Sequence, residues 1–144
     1  MQLTIREARP DDYGAIHSLI ANELGYEQTD FGKLCVRLGK MDADPDLLTV
    51  VAVAEGKVVG FIGLCRGLAY NIDGEYMQIS ALAVSTELQN KGIGTRLMKW
   101  AEDYAENSGI RNIVLTSRLH RTAAHAFYES IGYSKKSYGF KKDL

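Results

Sequence analysis

Apolar positions repeat with two different periods along this chain, and each change of period marks a change of element. Leu3 and Ile5 alternate with Thr4 and Arg6 ahead of Pro10, the pattern of a short strand halted before a helix. From Tyr13 the spacing turns helical through Ile16, Leu19, Ile20 and Leu24, with Asp11 or Asp12 placed to cap the start and Gly25 to end it. A second helical stretch, Phe31 to Met41, puts Leu34, Cys35 and Leu38 on one face and stops near Pro45. The run LLTVVAVAEGKVVGFIGLCRGL holds two β-branched segments around Glu55-Gly56-Lys57, which predicts an antiparallel hairpin. EYMQISALAV is a further strand. Helical spacing resumes at Ile93, Leu97, Trp100, Ala101 and Tyr104, opposite a charged face, until Asn107-Ser108-Gly109. A strand IRNIVLT, a short helix from about Thr122 to Ile131, and two strands over 133–136 and 138–142 are expected to complete the chain. The predicted order, β-α-α-β-β-β-α-β-α-β-β, is that of a mixed α/β sheet protein.

Composition narrows what this fold is for. At 144 residues and 46% hydrophobic content, the chain is expected to form one domain, residues 1–144. Its 17 basic and 18 acidic side chains leave a net charge of −1, so no cationic field draws it to nucleic acid. Cys35 and Cys65 lack metal-ligand spacing, and His17, His120 and His125 do not cluster with them, so no metal is expected. The start MQLTIREARPDDYG does not read as a signal peptide, and no apolar run reaches the roughly 18 residues of a membrane span. The expectation is a cytoplasmic protein with no membrane partner.

One short stretch carries chemistry. Gln89-Asn90-Lys91-Gly92-Ile93-Gly94 lies between the strand ending LAV and the longest helix. A strand, a glycine turn and a helix start aim backbone N–H groups and the positive end of the helix at one spot, which suits a phosphate. The stretch is not GxxxxGK followed by Ser or Thr, so it is no P-loop. Leu97 stands where a dinucleotide fingerprint needs its third glycine, and Thr116 and Ser117 stand where it needs an acid. An ordinary strand-to-helix turn that merely requires flexible residues remains the plain alternative.

The pattern Gln-x-x-Gly-x-Gly in QNKGIG, the helix continuing TRLMKWAEDYAE, and a second motif AHAFYESIGY resemble the GNAT superfamily of acyl-CoA-dependent N-acyltransferases. The likeness spans essentially the whole chain. It implies a mixed, mainly antiparallel sheet flanked by helices, acetyl-CoA as co-substrate and a homodimer, for which the terminal strands around Tyr138 offer an edge. It further implies that backbone groups of Leu82, Ala83 and Val84 pair with the pantetheine arm, and that Gln89, Asn90, Lys91, Gly92, Ile93, Gly94 and Thr95 hold the pyrophosphate. On that reading Gly92 and Gly94 let the backbone approach the phosphates with no Cβ between.

Acetyl transfer to an amine needs a neutral amine, a stabilised oxyanion and a proton for the leaving thiolate. Tyr128 aligns with the tyrosine that in this family points at the thiol sulfur, which implies a general acid; an aromatic on a packed helix face is the bland alternative. A backbone N–H on the strand of Ala81 to Val84 would hold the oxyanion. An alkyl amine is mostly ammonium at neutral pH, the lysine reference pKa being about 10.4, so a proton must be removed. Family members often place a glutamate where this chain has Gln78, which cannot serve as base. Glu23, Glu27 and Asp30, or water held by Gln78 and Ser80, are the other candidates; Glu75 is expected on the opposite face unless a bulge intervenes. Arg121 replaces a common asparagine.

The closer resemblance is to small single-domain acetyltransferases of soluble amines, including aminoalkylphosphonate acetyltransferases. The acceptor is therefore expected to be a small-molecule primary amine. Arg66, Arg118 and Arg121 are candidates for an anionic acceptor or for CoA, whereas the acids at 23, 27, 30, 73 and 75 would suit an aminoglycoside. A peptide amine acceptor and a non-catalytic acyl-CoA sensor are the alternatives.

Overall fold

A computed structural model describes all residues, Met1–Leu144. It divides into two compact units, Met1–Val114 and Leu115–Leu144. In the larger, β1 (Leu3–Glu7), α1 (Tyr13–Asn22), α2 (Phe31–Asp42), β2 (Leu47–Ala54), β3 (Lys57–Leu68), β4 (Glu75–Val84) and α3 (Ile93–Asn107) follow in order. β5 (Ile113–Leu115) begins at its end, and α4 (Thr122–Ser130) lies in the smaller unit. The sheet runs β1-β2-β3-β4-β5, antiparallel from β1 through β4. The mixed α/β class and the GNAT-like layering of helices on a sheet are as the sequence led one to expect.

The β2–β3 turn needs left-handed backbone at both central positions, and Glu55 (φ 51°) and Gly56 (φ 77°) supply it. Period-two alternation then builds two cores. Val51, Phe61 and Ala83 meet Ile16 and Leu19 of α1 and Leu34 and Leu38 of α2. On the other face α3 buries Ile93, Leu97, Met98, Ala101 and Ala105. A Cβ on Gly60 would come within 3.3 Å of Leu97 and 3.0 Å of the Ala83 carbonyl, so the glycine lets helix and sheet approach closely.

At the helix starts, Asp30 accepts from the Lys33 N–H at 2.9 Å and caps α2. Asp12 caps the single 3-10 turn ahead of α1 by accepting from the Arg9 N–H at 2.7 Å, and it also takes a bidentate pair from Arg6, at 2.8 and 3.1 Å. Those donors hold the buried Asp12 carboxyl below its ordinary value, the Arg6 hydrogen bond being the largest cause and burial opposing it.

Two expectations need correcting. The strand predicted as IRNIVLT is ordered as a ladder only over Ile113–Leu115. The two strands expected over 133–136 and 138–142 are not formed: residues 133–144 carry no helix or ladder, and Tyr138, Phe140 and Leu144 stand exposed. Alternating Tyr138 and Phe140 give strand propensity, but a strand exists only against a partner edge, and Lys135, Lys136, Lys141 and Lys142 keep this segment solvated.

Candidate active site

The donor-loop candidates come together at the end of β4. After Val84 a 3-10 turn, Thr86–Leu88, leads into Gln89, and α3 starts at Ile93. Asn90 (φ 64°) and Gly92 (φ 81°) are both left-handed, so the backbone reverses twice within three residues. Such alternation turns successive N–H groups toward one concavity, the geometry that holds phosphate oxygens. The first helical bond of α3 is Arg96 N–H to the Gly92 carbonyl at 3.0 Å, so the N–H groups of Ile93, Gly94 and Thr95 have no partner within the helix. From Leu88 to Ala101 the sequence holds no acid, and Lys91 adds positive charge; Lys99 is paired with Asp103 at 2.6 Å and Arg96 reaches the Leu3 carbonyl at 3.5 Å. A pyrophosphate fits this loop on shape and on charge. The loop is braced by Gln89 Nε2, which donates to the Val84 carbonyl at 3.2 Å.

β4 contains a local irregularity that shapes the adjoining strand. Gly63 pairs with Ala81 but Leu64 with Ile79, which leaves Ser80 as the extra residue of a bulge. Gln78, which pairs with Cys65, therefore shares a face with Ala81 and Ala83. Ser80 explains Gly63: a Cβ there would lie 2.9 Å from the Ser80 hydroxyl. β5 has three residues against ten in β4, so it is too short to pair along the whole outer edge of β4.

The carboxylate candidates are mostly engaged. Glu75 accepts from Arg66 at 2.7 Å, and the bulge lies beyond Gln78, so Glu75 and Gln78 face opposite sides of the sheet. The Arg66 guanidinium pKa is raised, by the hydrogen bond to Glu75 first and by Tyr104 of α3 second. Its Nε is buried without a partner. Asp30 is the α2 cap, and Glu23 accepts from the Thr86 hydroxyl, at 2.6 Å to Oε2 and closer still to Oε1. Glu27 is exposed. A cleft of about 630 Å³ runs beside α1 with Asp11, Glu23 and Glu87 in its lining, an acidic surface unsuited to phosphates.

Tyr128 belongs to the smaller unit. Gly132 (φ 99°) ends α4 and turns the chain so that the Tyr133 N–H returns to the Tyr128 carbonyl at 3.0 Å, with the two rings 6.3 Å apart. Phe127 packs edge-on at 5.3 Å. Burial pushes the half-buried Tyr128 hydroxyl above its ordinary pKa, and the Arg121 charge works against that. His125 has the packed role: its Nε2 donates to the Arg118 carbonyl at 2.8 Å. The Ser117 hydroxyl is buried with no partner.

Sequence reasoning missed three features here. The Asp30 cap had a readable signal, an aspartate directly before the helical pattern at Phe31. The Ser80 bulge and the Glu23–Thr86 bond had none, since one is an irregularity of pairing and the other joins residues far apart in sequence.

Residues 5–133 match the Acetyltransferase (GNAT) family, and the chain belongs to it. It is an acetyl-transferring acyltransferase. Among relatives, it is 29% identical to the aminoalkylphosphonate N-acetyltransferase of Salmonella typhimurium, over 97% of this chain and 90% of that one. A crystal structure from Bacillus halodurans C-125, described as a transcriptional regulator, superposes with a TM-score of 0.93 at 23% identity, covering 99% of this chain and 100% of the other. The aminoglycoside N-acetyltransferase AAC(6')-Iy in complex with CoA superposes with a TM-score of 0.87 at 12% identity, covering 99% and 95%. At those identities the two structures share the fold alone. No helix is long and apolar enough to cross a membrane.

Proposed function

We propose that this chain moves the acetyl group of acetyl-CoA to a primary amine of a small molecule by direct attack, as a single domain over residues 1–144. The observation that carries the reading is the loop Gln89 to Thr95, whose left-handed Asn90 and Gly92 open onto the start of α3. There the backbone N–H groups hold the pyrophosphate, with Lys91 adding charge. Backbone groups of Leu82, Ala83 and Val84 take the pantetheine arm as an added strand. A backbone N–H of the same strand holds the oxyanion.

Tyr128 protonates the departing thiolate. Its burial favours the neutral phenol and so keeps the proton available. With Gln78 in place of a glutamate, and Glu23, Glu75 and Asp30 each engaged elsewhere, the ammonium proton leaves to water.

The Salmonella relative supports an aminoalkylphosphonate acceptor. We place the protein in the cytoplasm as a homodimer, as the family resemblance implies. The test is free-thiol release from acetyl-CoA against aminoalkylphosphonates, aminoglycosides, polyamines, amino acids and short peptides. Turnover with one small amine is expected. Turnover with peptides alone would overturn the small-molecule acceptor, and acetyl-CoA binding without any turnover would favour a sensor.

A further inference from the structure

We propose that Glu23 is a positioning residue for the donor loop, acting through the hydroxyl of Thr86; the proposal rests on the reading of Gln89 to Thr95 as the acyl-CoA site. Four observations carry it. First, the loop holds a non-glycine residue, Asn90, at φ 64° two positions before Gly92 at φ 81°, a backbone that asparagine tolerates at some cost and that contacts at its entry help to hold. Second, its far end is fixed by α3, so its entry must be fixed as well. That entry is the 3-10 turn Thr86–Leu88. The turn is tied by backbone bonds to the sheet and within itself, Ser85 N–H to Val59 at 2.8 Å and Leu88 N–H to Ser85 at 2.9 Å. The Thr86 hydroxyl adds a tie to a different layer, bonding the Glu23 carboxylate at 2.6 Å across 63 positions of sequence.

Third, Glu23 sits on a rigid post. It is the C-terminal cap of α1, whose Ile16 and Leu19 are buried, and the chain turns away just beyond it at Gly25 (φ 82°). Fourth, helix stability does not favour a glutamate there. A carboxylate at a helix C-terminus opposes the helix dipole, so Glu23 is unfavourable for α1 taken alone. Its contribution lies in the charge-assisted bond to Thr86, which holds the turn in the shape from which Asn90 and Gly92 follow. Engaged by the Thr86 hydroxyl, Glu23 holds the loop and is not the base in this reading.

The experiment compares acetyl-CoA affinity by calorimetry, melting temperature, and kcat at saturating acetyl-CoA for the wild type, Thr86→Val, Thr86→Ser, Glu23→Ala and the Thr86→Val/Glu23→Ala pair. The proposal predicts affinity about tenfold weaker in Thr86→Val and in Glu23→Ala, near wild type in Thr86→Ser, and no weaker in the pair than in either single variant. Glu23→Ala is expected to melt no lower than wild type. Saturating acetyl-CoA should restore kcat to within about twofold. Wild-type affinity in both single variants would overturn the proposal, as would additive losses in the pair. A lost kcat at unchanged affinity would also overturn it, by giving Glu23 a chemical role. If the wild type itself fails to bind acetyl-CoA, the donor-loop reading falls, and the proposal with it.

Discussion

Tyr128 illustrates how a single side chain is tuned by what surrounds it. Phe127 and Tyr133 flank its ring, and burial disfavours the phenolate, so the group stays protonated beyond the ordinary tyrosine value of about 10. Tyr128→Phe is expected to lower kcat about 100-fold or more while acetyl-CoA affinity stays the same, measured by thiol release and calorimetry. In the wild type, kcat/KM should climb with pH toward the amine's own pKa and show no falling limb below about pH 10. Unimpaired turnover in the variant would remove the acid role.

Asp12 shows the same logic applied to stability. Its folded pKa lies below the unfolded value, so its contribution is complete above about pH 4 and is lost as pH falls through the folded value. Asp12→Ala, which strands Arg6 and the Arg9 N–H, should cost about 2 kcal/mol at neutral pH. The gap to wild type should narrow in acid, and melting curves across pH check both points.

Among the elements, β4 decides most of the site, because a single extra residue resets which side chains share a face. Gly63 is the complement of that bulge, since a Cβ would press on the Ser80 hydroxyl at 2.9 Å. Gly63→Val should destabilise the fold by about 1–3 kcal/mol in a denaturant titration, and wild-type stability would show that the bulge relaxes freely. Element identity was legible because period is local: α1, α2 and α3 follow from apolar spacing, and the β2–β3 hairpin from Glu55-Gly56. The turn at Gly92 was legible for a related reason, as a glycine answers a backbone requirement at its own position. The Ser80 bulge and the Glu23–Thr86 tie depend on which strand or helix arrives opposite, and no residue nearby announces that. The segment after Tyr133 failed in the opposite sense: its alternation advertised strands, but propensity without a partner edge forms no ladder.

For the molecule as a whole, charge and concavity separate the two sides of the reaction. The proposed donor side rests on one loop with converging N–H groups and Lys91, whereas the acceptor side is bounded only by engaged carboxylates and by the names of relatives. The most direct test therefore lies on the donor side and needs no knowledge of the acceptor. Gly94 is the second residue of α3, where valine is compatible with helical backbone but sets a branched side chain against the site. The measurement is acetyl-CoA affinity by calorimetry for wild type and Gly94→Val, with a melting curve for each. The account predicts binding in the wild type, a loss of about tenfold or more in the variant, and cooperative melting in both. Equal affinity in two folded proteins would contradict it.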